Sequence, residues 1–262
     1  MEKNNLAVAN AVKVIKRFNF KSPDEIDFDE IANTDSVKII YDYLKSALGK
    51  IVISSGVAVI TISKDIKLET RKRFTIAHEL GHFYNERGFQ VNDKLSYTCK
   101  YDDIFGNYSR NGREKNANDF AAELLMHTDW FVNFTKGKKF NYKLLKDLSQ
   151  YFNVSLTSAA IRYSEIGQHP TASIFIKDKK IKWTVINKFF KYKFIRINSN
   201  VSNLSYVNDH LNGKEYPTEG EEILAEAWFS EDFNLKNRND RLFEIVIPFE
   251  NYDSALVILL SK

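Results

Sequence analysis

Two histidines four residues apart, with a glutamate directly after the first, constrain this chain more than any other feature. Residues 78–82 read His-Glu-Leu-Gly-His, an H-E-x-x-H motif. On an α-helix four residues turn the side-chain direction by about 400°, so the imidazoles of His78 and His82 leave one face and can bind one metal ion together. Glu79 is turned by about 100° from His78, which leaves it beside the metal, where a general base is needed.

The surrounding sequence predicts that this motif lies on a helix. Apolar residues recur around it, no proline interrupts it, and Gly88 follows as a stop signal. These apolar residues are Phe74, Ile76, Ala77, Leu80 and Phe83. The alternative is that both histidines are only solvated or hydrogen-bonded, and the adjacent Glu79 argues against it.

Length and composition predict a globular protein. The chain has 262 residues, enough for two modest domains, and is 44% hydrophobic and 27% charged. Its formal net charge of +4 is too small to indicate a nucleic-acid binder by itself.

Cysteine usage and apolar runs bear on the compartment. Cys99 is the only cysteine, so an internal disulfide and a cysteine-based zinc cluster are excluded and a reducing environment is expected. Leu6–Phe18 has the pattern of an amphipathic helix and lacks the apolar run of a signal peptide. The longest apolar run, Ala255–Leu260, is too short to span a bilayer. We therefore expect a cytoplasmic protein with no membrane-embedded segment.

Between the first helix and the motif, the sequence predicts a small sheet. Residues 22–25, Ser-Pro-Asp-Glu, have the pattern of a cap and first turn of a short second helix. β-branched and aromatic residues then dominate Val37–Leu44, Ile51–Ile53 and Val57–Ile62, with a turn at Ser54–Gly56. We expect an antiparallel or mixed sheet that leads into the motif helix.

The stretch Val91–Gly112 follows the motif helix, has no steady period and is rich in Asn, Asp and Gly, which predicts a long surface loop. The side chains in it that can donate a hydrogen bond to a substrate oxyanion are Tyr97, Tyr101, Tyr108 and Arg110. The sequence does not choose among them. Cys99 lies in the same stretch with no histidine nearby in the sequence, so we interpret it as a buried or incidental thiol.

A second strong helix, predicted over Arg113–Met126, is the expected source of a third metal ligand. Glu114 and Glu123 are nine residues apart, about 180° around a helix, so only one of them can face the motif helix. Small and partly polar residues share the face of Glu114, which favours Glu114 and turns Glu123 away. His127 is turned by about 220° around the helix from Glu114, so it is a poor candidate for the third metal ligand. Asn118, one turn after Glu114, is placed to orient a ligand.

The remaining sequence predicts a helical hairpin and a second domain. Tyr142–Phe152 and Leu156–Ile166 are helical segments joined by a tight turn, the outline of a helix-turn-helix, but the second has little basic character for reading DNA. Gly167–Pro170 marks a boundary, and a helix is expected around Leu204–Leu211. The strand patterns beyond the boundary are Ala172–Ile176, Ile181–Val185, Leu242–Ile247 and Ala255–Leu260. They predict a small α+β domain without a chemical motif.

Three segments together carry a family resemblance. They are 73–82, Arg-Phe-Thr-Ile-Ala-His-Glu-Leu-Gly-His; 114–118, Glu-Lys-Asn-Ala-Asn; and 120–126, Phe-Ala-Ala-Glu-Leu-Leu-Met. With these residues the chain closely resembles the ImmA/IrrE family of metallo-endopeptidases, over roughly residues 1–168. The family usually has proline directly after Leu-Leu-Met, where this chain has His127, a departure that concerns the end of the helix and not the ligands.

The resemblance implies a zinc site and a hydrolytic activity. Its zinc ligands correspond to His78, His82 and Glu114 here, and its catalytic base corresponds to Glu79. Characterised relatives cleave transcriptional repressors of the helix-turn-helix type and so release stress-response or mobile-element genes. The hairpin near Leu148–Ile166 also resembles the family's helix-turn-helix region.

These inferences predict an α+β chain in three parts. They are a zincin-like metallopeptidase domain over 1–140, a helix-turn-helix-like hairpin over 141–168, and a C-terminal α+β domain over 169–262 that recognises a substrate or a signal. The predicted function is a zinc-dependent endopeptidase that cleaves a helix-turn-helix repressor. The alternative is a non-proteolytic regulator that binds DNA or a repressor and holds a structural metal. A toxin- or antitoxin-linked partner that acts by proteolysis is a third hypothesis, and the residues do not separate it from the first.

Overall fold

The computed structural model of the chain describes residues 6–54, 56–86, 95–99, 112–249 and 253–261. These residues divide into two units. The first unit comprises Met1–Phe131 and Ser149–Ser155, and the second comprises Val132–Leu148 and Leu156–Lys262. Each unit combines helices with one β-sheet, which confirms the predicted α+β class.

The first unit contains the motif helix and a four-stranded sheet. Its helices are α1 (Leu6–Phe18), α2 (Phe28–Thr34), α3 (Glu69–Glu86) and α4 (Gly112–Leu125). Its strands are β1 (Val37–Asp42), β2 (Gly49–Ser54), β3 (Val57–Ser63) and β4 (Leu95–Cys99). The predicted first turn of the second helix is a separate 3-10 turn, Pro23–Glu25. Helix α2 starts later because the Asp27 carboxylate accepts the backbone N–H groups of Asp29 and Glu30, whereas Ser22 makes no side-chain cap.

The first sheet is mixed, which is one of the two arrangements predicted from the sequence. Its strand order is β1-β3-β2-β4, with β1 parallel to β3 and the other pairs antiparallel. Strand β4 shows that the predicted loop over Val91–Gly112 is wrong at Leu95–Cys99, where Ile51 of β2 pairs with Tyr97. The polar residues around these five positions gave no strand pattern, and the short strand forms by pairing with β2, a distant part of the chain.

Helix α3 is the centre of the first unit. It packs against β2 and β3 on one side and against α4 and α1 on the other. All nine residues from Thr75 to Phe83 are therefore buried, including His78, Glu79 and His82. Burial of three ionisable side chains on one helix is costly unless they are paired or bind a metal, so the fold itself marks this segment as functional.

Gly81 allows α3 and α4 to approach each other. A Cβ atom at this position would lie 2.9 Å from both the Cα and the carbonyl oxygen of Ala117. Because those are backbone atoms, they cannot rotate away. We expect Gly81→Ala to lower the free energy of unfolding by about 1–3 kcal/mol through overpacking, measured by urea denaturation of the metal-free protein.

Gly112→Ala is the matched control for that substitution. A Cβ at Gly112, the first residue of α4, meets no atom of the described residues within 4 Å. The exchange is expected to leave stability unchanged or to raise it by up to about 1 kcal/mol, because alanine is the better helix former. Equal stability of the two variants would contradict the close contact between the helices.

The second unit is built on a five-stranded antiparallel sheet of order β6-β5-β9-β8-β7. Its strands are β5 (Thr171–Lys177), β6 (Lys180–Ile186), β7 (Glu221–Leu224), β8 (Arg241–Pro248) and β9 (Ser254–Ser261). Its own helices are α7 (Leu156–Ile166), α8 (Tyr206–Leu211) and α9 (Glu226–Phe229), while α5 (Thr128–Thr135) and α6 (Tyr142–Tyr151) each include residues of both units. The sequence predicted four of these strands and α8, and it missed β7, whose four residues are too short for a pattern. In the described part of the chain, no helix is long and apolar enough to cross a membrane.

Candidate metal centre

The three residues predicted as ligands come together between α3 and α4. The Nε2 atoms of His78 and His82 lie 3.2 Å apart. Glu114 lies across from them, with Oε2 at 3.1 Å from His78 Nε2 and Oε1 at 3.4 Å from His82 Nε2. One ligand atom from each residue lies within 4.8 Å of the other two, so the cluster can hold a metal ion.

The distances fit a tetrahedral ion. Two ligand atoms bound at 2.0–2.1 Å in a tetrahedron are separated by about 3.3 Å. His78 Nε2 lies 3.2 Å from His82 Nε2 and 3.1 Å from Glu114 Oε2, and the 3.4 Å contact of His82 Nε2 is with the other carboxylate oxygen, Oε1. Among the described residues, no fourth His, Cys, Asp or Glu joins the cluster. Two imidazoles and one carboxylate are a donor set that zinc accepts.

Asn118 fixes the orientation of one imidazole. Its Oδ1 lies 2.8 Å from His78 Nδ1. When Nδ1–H donates to this oxygen, Nε2 carries no proton and its lone pair points towards His82 and Glu114. Asn118 lies one turn after Glu114 on α4, so both side chains leave the same face of the helix and contact the two ring nitrogens of His78.

Electrostatics also prepare the cluster for a cation. Burial alone raises the pKa of the Glu114 carboxyl, but the adjacent His78 and His82 imidazoles outweigh burial and hold this pKa well below its ordinary value. Burial also lowers the pKa of the His82 imidazole, which favours the neutral form that binds metals. The arrangement is one anionic carboxylate facing imidazoles in a buried site.

Glu79, the predicted general base, is fully buried on α3 and is covered by β2. A Cβ atom at Gly49 would lie 2.5 Å from Glu79 Oε1 and 2.7 Å from Thr75 Cγ2. A side chain at this position would displace the carboxylate, so the backbone of β2 packs directly against it. Sequence reasoning did not single out Gly49, although an isolated glycine at a strand is a known signal of close approach.

Tyr97 of β4 is the one oxyanion candidate that the described residues contain. Its ring stacks on the His82 imidazole, with centroids 4.8 Å apart and planes inclined by 8°. Its hydroxyl is buried and forms no hydrogen bond with any described residue. Burial raises the pKa of the phenol, so the hydroxyl remains a donor. Tyr101, Tyr108 and Arg110, the other candidates, lie outside the described residues.

The other residues considered from the sequence lie apart from the cluster or are inert. The Glu123 carboxylate accepts hydrogen bonds from the hydroxyl of Thr128 at 2.8 Å and contacts His127 Nδ1 at 2.7 Å, which ties the end of α4 to the next helix. Cys99 is buried beside the His78 imidazole, and burial raises the pKa of its thiol. A protonated, buried thiol is a poor nucleophile.

Comparison with known proteins places these residues in a family context. The family described as IrrE N-terminal-like domain, Peptidase_M78, matches residues 32–164, about half of the chain and all of the cluster. A solved structure titled "Mycobacterium tuberculosis transcriptional regulator" has a TM-score of 0.59 and 13% sequence identity, over 99% of this chain and 77% of its own. At this identity the likeness is one of fold. Comparison with curated protein sequences finds no significant match.

Proposed function

Because the chain belongs to the IrrE N-terminal-like family, Peptidase_M78, we propose that it is a zinc-dependent endopeptidase. The observation that carries the proposal is the convergence of His78, His82 and Glu114, whose ligand atoms lie within 4.8 Å of one another, with Glu79 buried next to the first histidine on the same helix. The family match supports a peptidase at a general level, and the donor set supports zinc as the metal.

The catalytic roles follow from the chemistry of each side chain. His78, His82 and Glu114 would hold the zinc ion, which would supply Lewis acidity towards a bound water and a peptide carbonyl. Glu79 accepts the proton of the water that attacks the scissile carbonyl, and it then donates this proton to the departing amine. Asn118 holds His78 in the tautomer that presents Nε2.

We assign transition-state stabilisation to the hydroxyl of Tyr97. In Tyr97→Phe the ring still stacks on His82, so metal binding and folding are expected to persist. Loss of the donor to the oxyanion should lower kcat by on the order of a hundredfold with little change in KM. Steady-state kinetics together with the zinc content of both proteins test this assignment. An unchanged kcat would contradict it, and lost zinc would show a structural role instead.

The proposed substrate is a protein, and the family resemblance points to a transcriptional repressor of the helix-turn-helix type. We also propose a cytoplasmic location, since the only cysteine is a buried thiol and reducing compartments preserve thiols. Recognition of the substrate or of an activating signal is assigned to residues 169–262.

A peptide library made by digesting a bacterial proteome tests the proposed activity without knowledge of the substrate. New peptide ends are identified by mass spectrometry after incubation with the zinc-loaded protein, with the protein stripped by a chelator, and with the stripped protein after zinc is restored. We expect specific cleavage in the first and third samples only. Cleavage that persists without metal, or none in any sample, would count against a zinc peptidase.

The second candidate function, a non-proteolytic DNA-binding regulator, has less support. A recognition helix must present exposed side chains to the major groove. In α7, the second helix of the predicted helix-turn-helix, none of the 11 residues is exposed. Its Ser164 hydroxyl instead lies 2.9 Å from the Ser173 hydroxyl of β5. Salt-dependent binding to a duplex, without cleavage of any peptide, would nevertheless favour the regulator.

A further inference from the structure

Three phenylalanine rings stand out on the surface of the second unit. Phe189 is 65% exposed, Phe194 is 49% exposed and Phe233 is 83% exposed. They belong to two segments outside the helices and strands, 187–197 and 230–240, and aromatic and basic residues alternate in the first of them. Single exposed apolar residues are common, but three large rings on adjoining segments are a feature of binding sites.

These segments are firmly joined to each other. Phe190 and Tyr192 turn inwards and contact the Phe229 ring, at centroid distances of 5.6 and 4.8 Å. The Asp232 carboxylate accepts the backbone N–H groups of Lys193 and Phe194 at 2.5 and 2.6 Å. Phe233 directly follows Asp232 in the chain, so these hydrogen bonds join the two segments into one surface. The exposed rings of this surface stand on a well-packed backbone.

Lysines surround the rings. Lys188 Nζ lies 5.0 Å from the centroid of the Phe189 ring, and Lys236 Nζ lies 3.6 Å from that of Phe233. Lys193 Nζ donates to the carbonyl oxygens of Asn187 and Lys188. Among the described residues, none of these three lysines has a carboxylate oxygen within 4.0 Å, so their charge is available to a partner.

The rest of the charge pattern argues for a protein partner. Three further cations of these two segments are paired with carboxylates: Lys191 with Asp240 and Arg196 with Glu231, each at 2.5 Å, and Arg238 with Glu226 at 3.6 Å. A nucleic-acid backbone or an anionic membrane would meet these carboxylates along with the lysines. Exposed aromatic rings within a rim of both charges are instead the usual anatomy of a protein interface.

We propose that this aromatic-basic surface, defined by Phe189, Phe194 and Phe233 with Lys188, Lys193 and Lys236, binds an acidic segment of a partner protein that also carries apolar side chains. The rings provide the apolar contact area, and the uncompensated lysines select negative charge beside it. The surface lies within residues 169–262, the part to which we assign recognition. The inference does not depend on proteolysis.

Selection from a phage-displayed library of random peptides tests the surface on the full chain. We expect enriched sequences with an excess of Asp and Glu next to aromatic or aliphatic residues. A synthetic peptide of that kind should bind the triple variant Phe189→Ser, Phe194→Ser, Phe233→Ser at least about tenfold more weakly than it binds the unchanged protein. The double variant Lys188→Glu, Lys236→Glu should lose affinity as well, and added salt should weaken binding to the unchanged protein.

Matched controls separate this surface from general stickiness. Tyr43→Ser with Leu68→Ser removes exposed apolar side chains from the first unit, and Lys13→Glu reverses an exposed charge there. Both should bind the peptide within about twofold of the unchanged protein. Each of these results would overturn the proposal: no enriched peptide, enriched peptides without acidic residues, or undiminished binding by the triple variant. The proposal would also be overturned if the rings mediated binding to oligo(dT), to phosphatidylglycerol vesicles or to a second copy of the chain.

Discussion

Replacing Glu79 by glutamine is expected to abolish peptide cleavage and to leave metal binding intact. The amide has nearly the shape of the carboxylate, so it fits the buried space between α3 and Gly49. It cannot accept a proton from the attacking water. Loss of a general base costs roughly 10²–10⁴-fold in rate, so kcat/KM on a peptide cleaved by the unchanged protein should fall by at least that much.

Two measurements make the Glu79→Gln result specific. The zinc content of the variant, determined by elemental analysis, should equal that of the unchanged protein, because His78, His82 and Glu114 are untouched. Glu69→Gln serves as the control, since Glu69 lies in the first turn of the same helix and its side chain is 63% exposed. Full activity of a zinc-loaded Glu79→Gln protein would exclude Glu79 as the base.

The second large effect is expected for Glu114→Gln, which should remove the metal site itself. Glu114 supplies the only negative charge in the cluster, and it contacts both imidazoles. A ligand that binds only the folded protein stabilises it by about 2.7 kcal/mol when present at 100 times its Kd. We therefore expect zinc to raise the Tm of the chelator-treated unchanged protein by several degrees, and to leave that of Glu114→Gln almost unchanged.

Asp119→Asn is the control for this experiment. It removes a carboxylate from the same helix, about 140° round the helix from Glu114, where Asp119 pairs with Lys115. Its response to zinc should match that of the unchanged protein. If the Glu114→Gln protein were still stabilised by zinc as strongly, another group would have to complete the site and the assignment of Glu114 as a ligand would be wrong.

The sequence by itself determined the parts of the centre that depend on helical geometry. The shared face of His78 and His82 and the direction of Glu79 beside them follow from 3.6 residues per turn. The same geometry allows only one of Glu114 and Glu123 to face the motif helix, and the small residues on the face of Glu114 favour Glu114. The α+β class and most strands followed from periodicity. Such patterns are local, so they can be read from the chain without knowledge of what each element packs against.

Only the tertiary structure decided which groups complete the centre from other elements. The pairing of β4 with β2 brings Tyr97 onto His82, and β2 places Gly49 against Glu79. The framework that exposes Phe189 and Phe233 likewise rests on contacts between segments some 40 residues apart. Strand register and side-chain contacts of this kind are set by packing between distant parts of the chain, and no local period of the sequence encodes them.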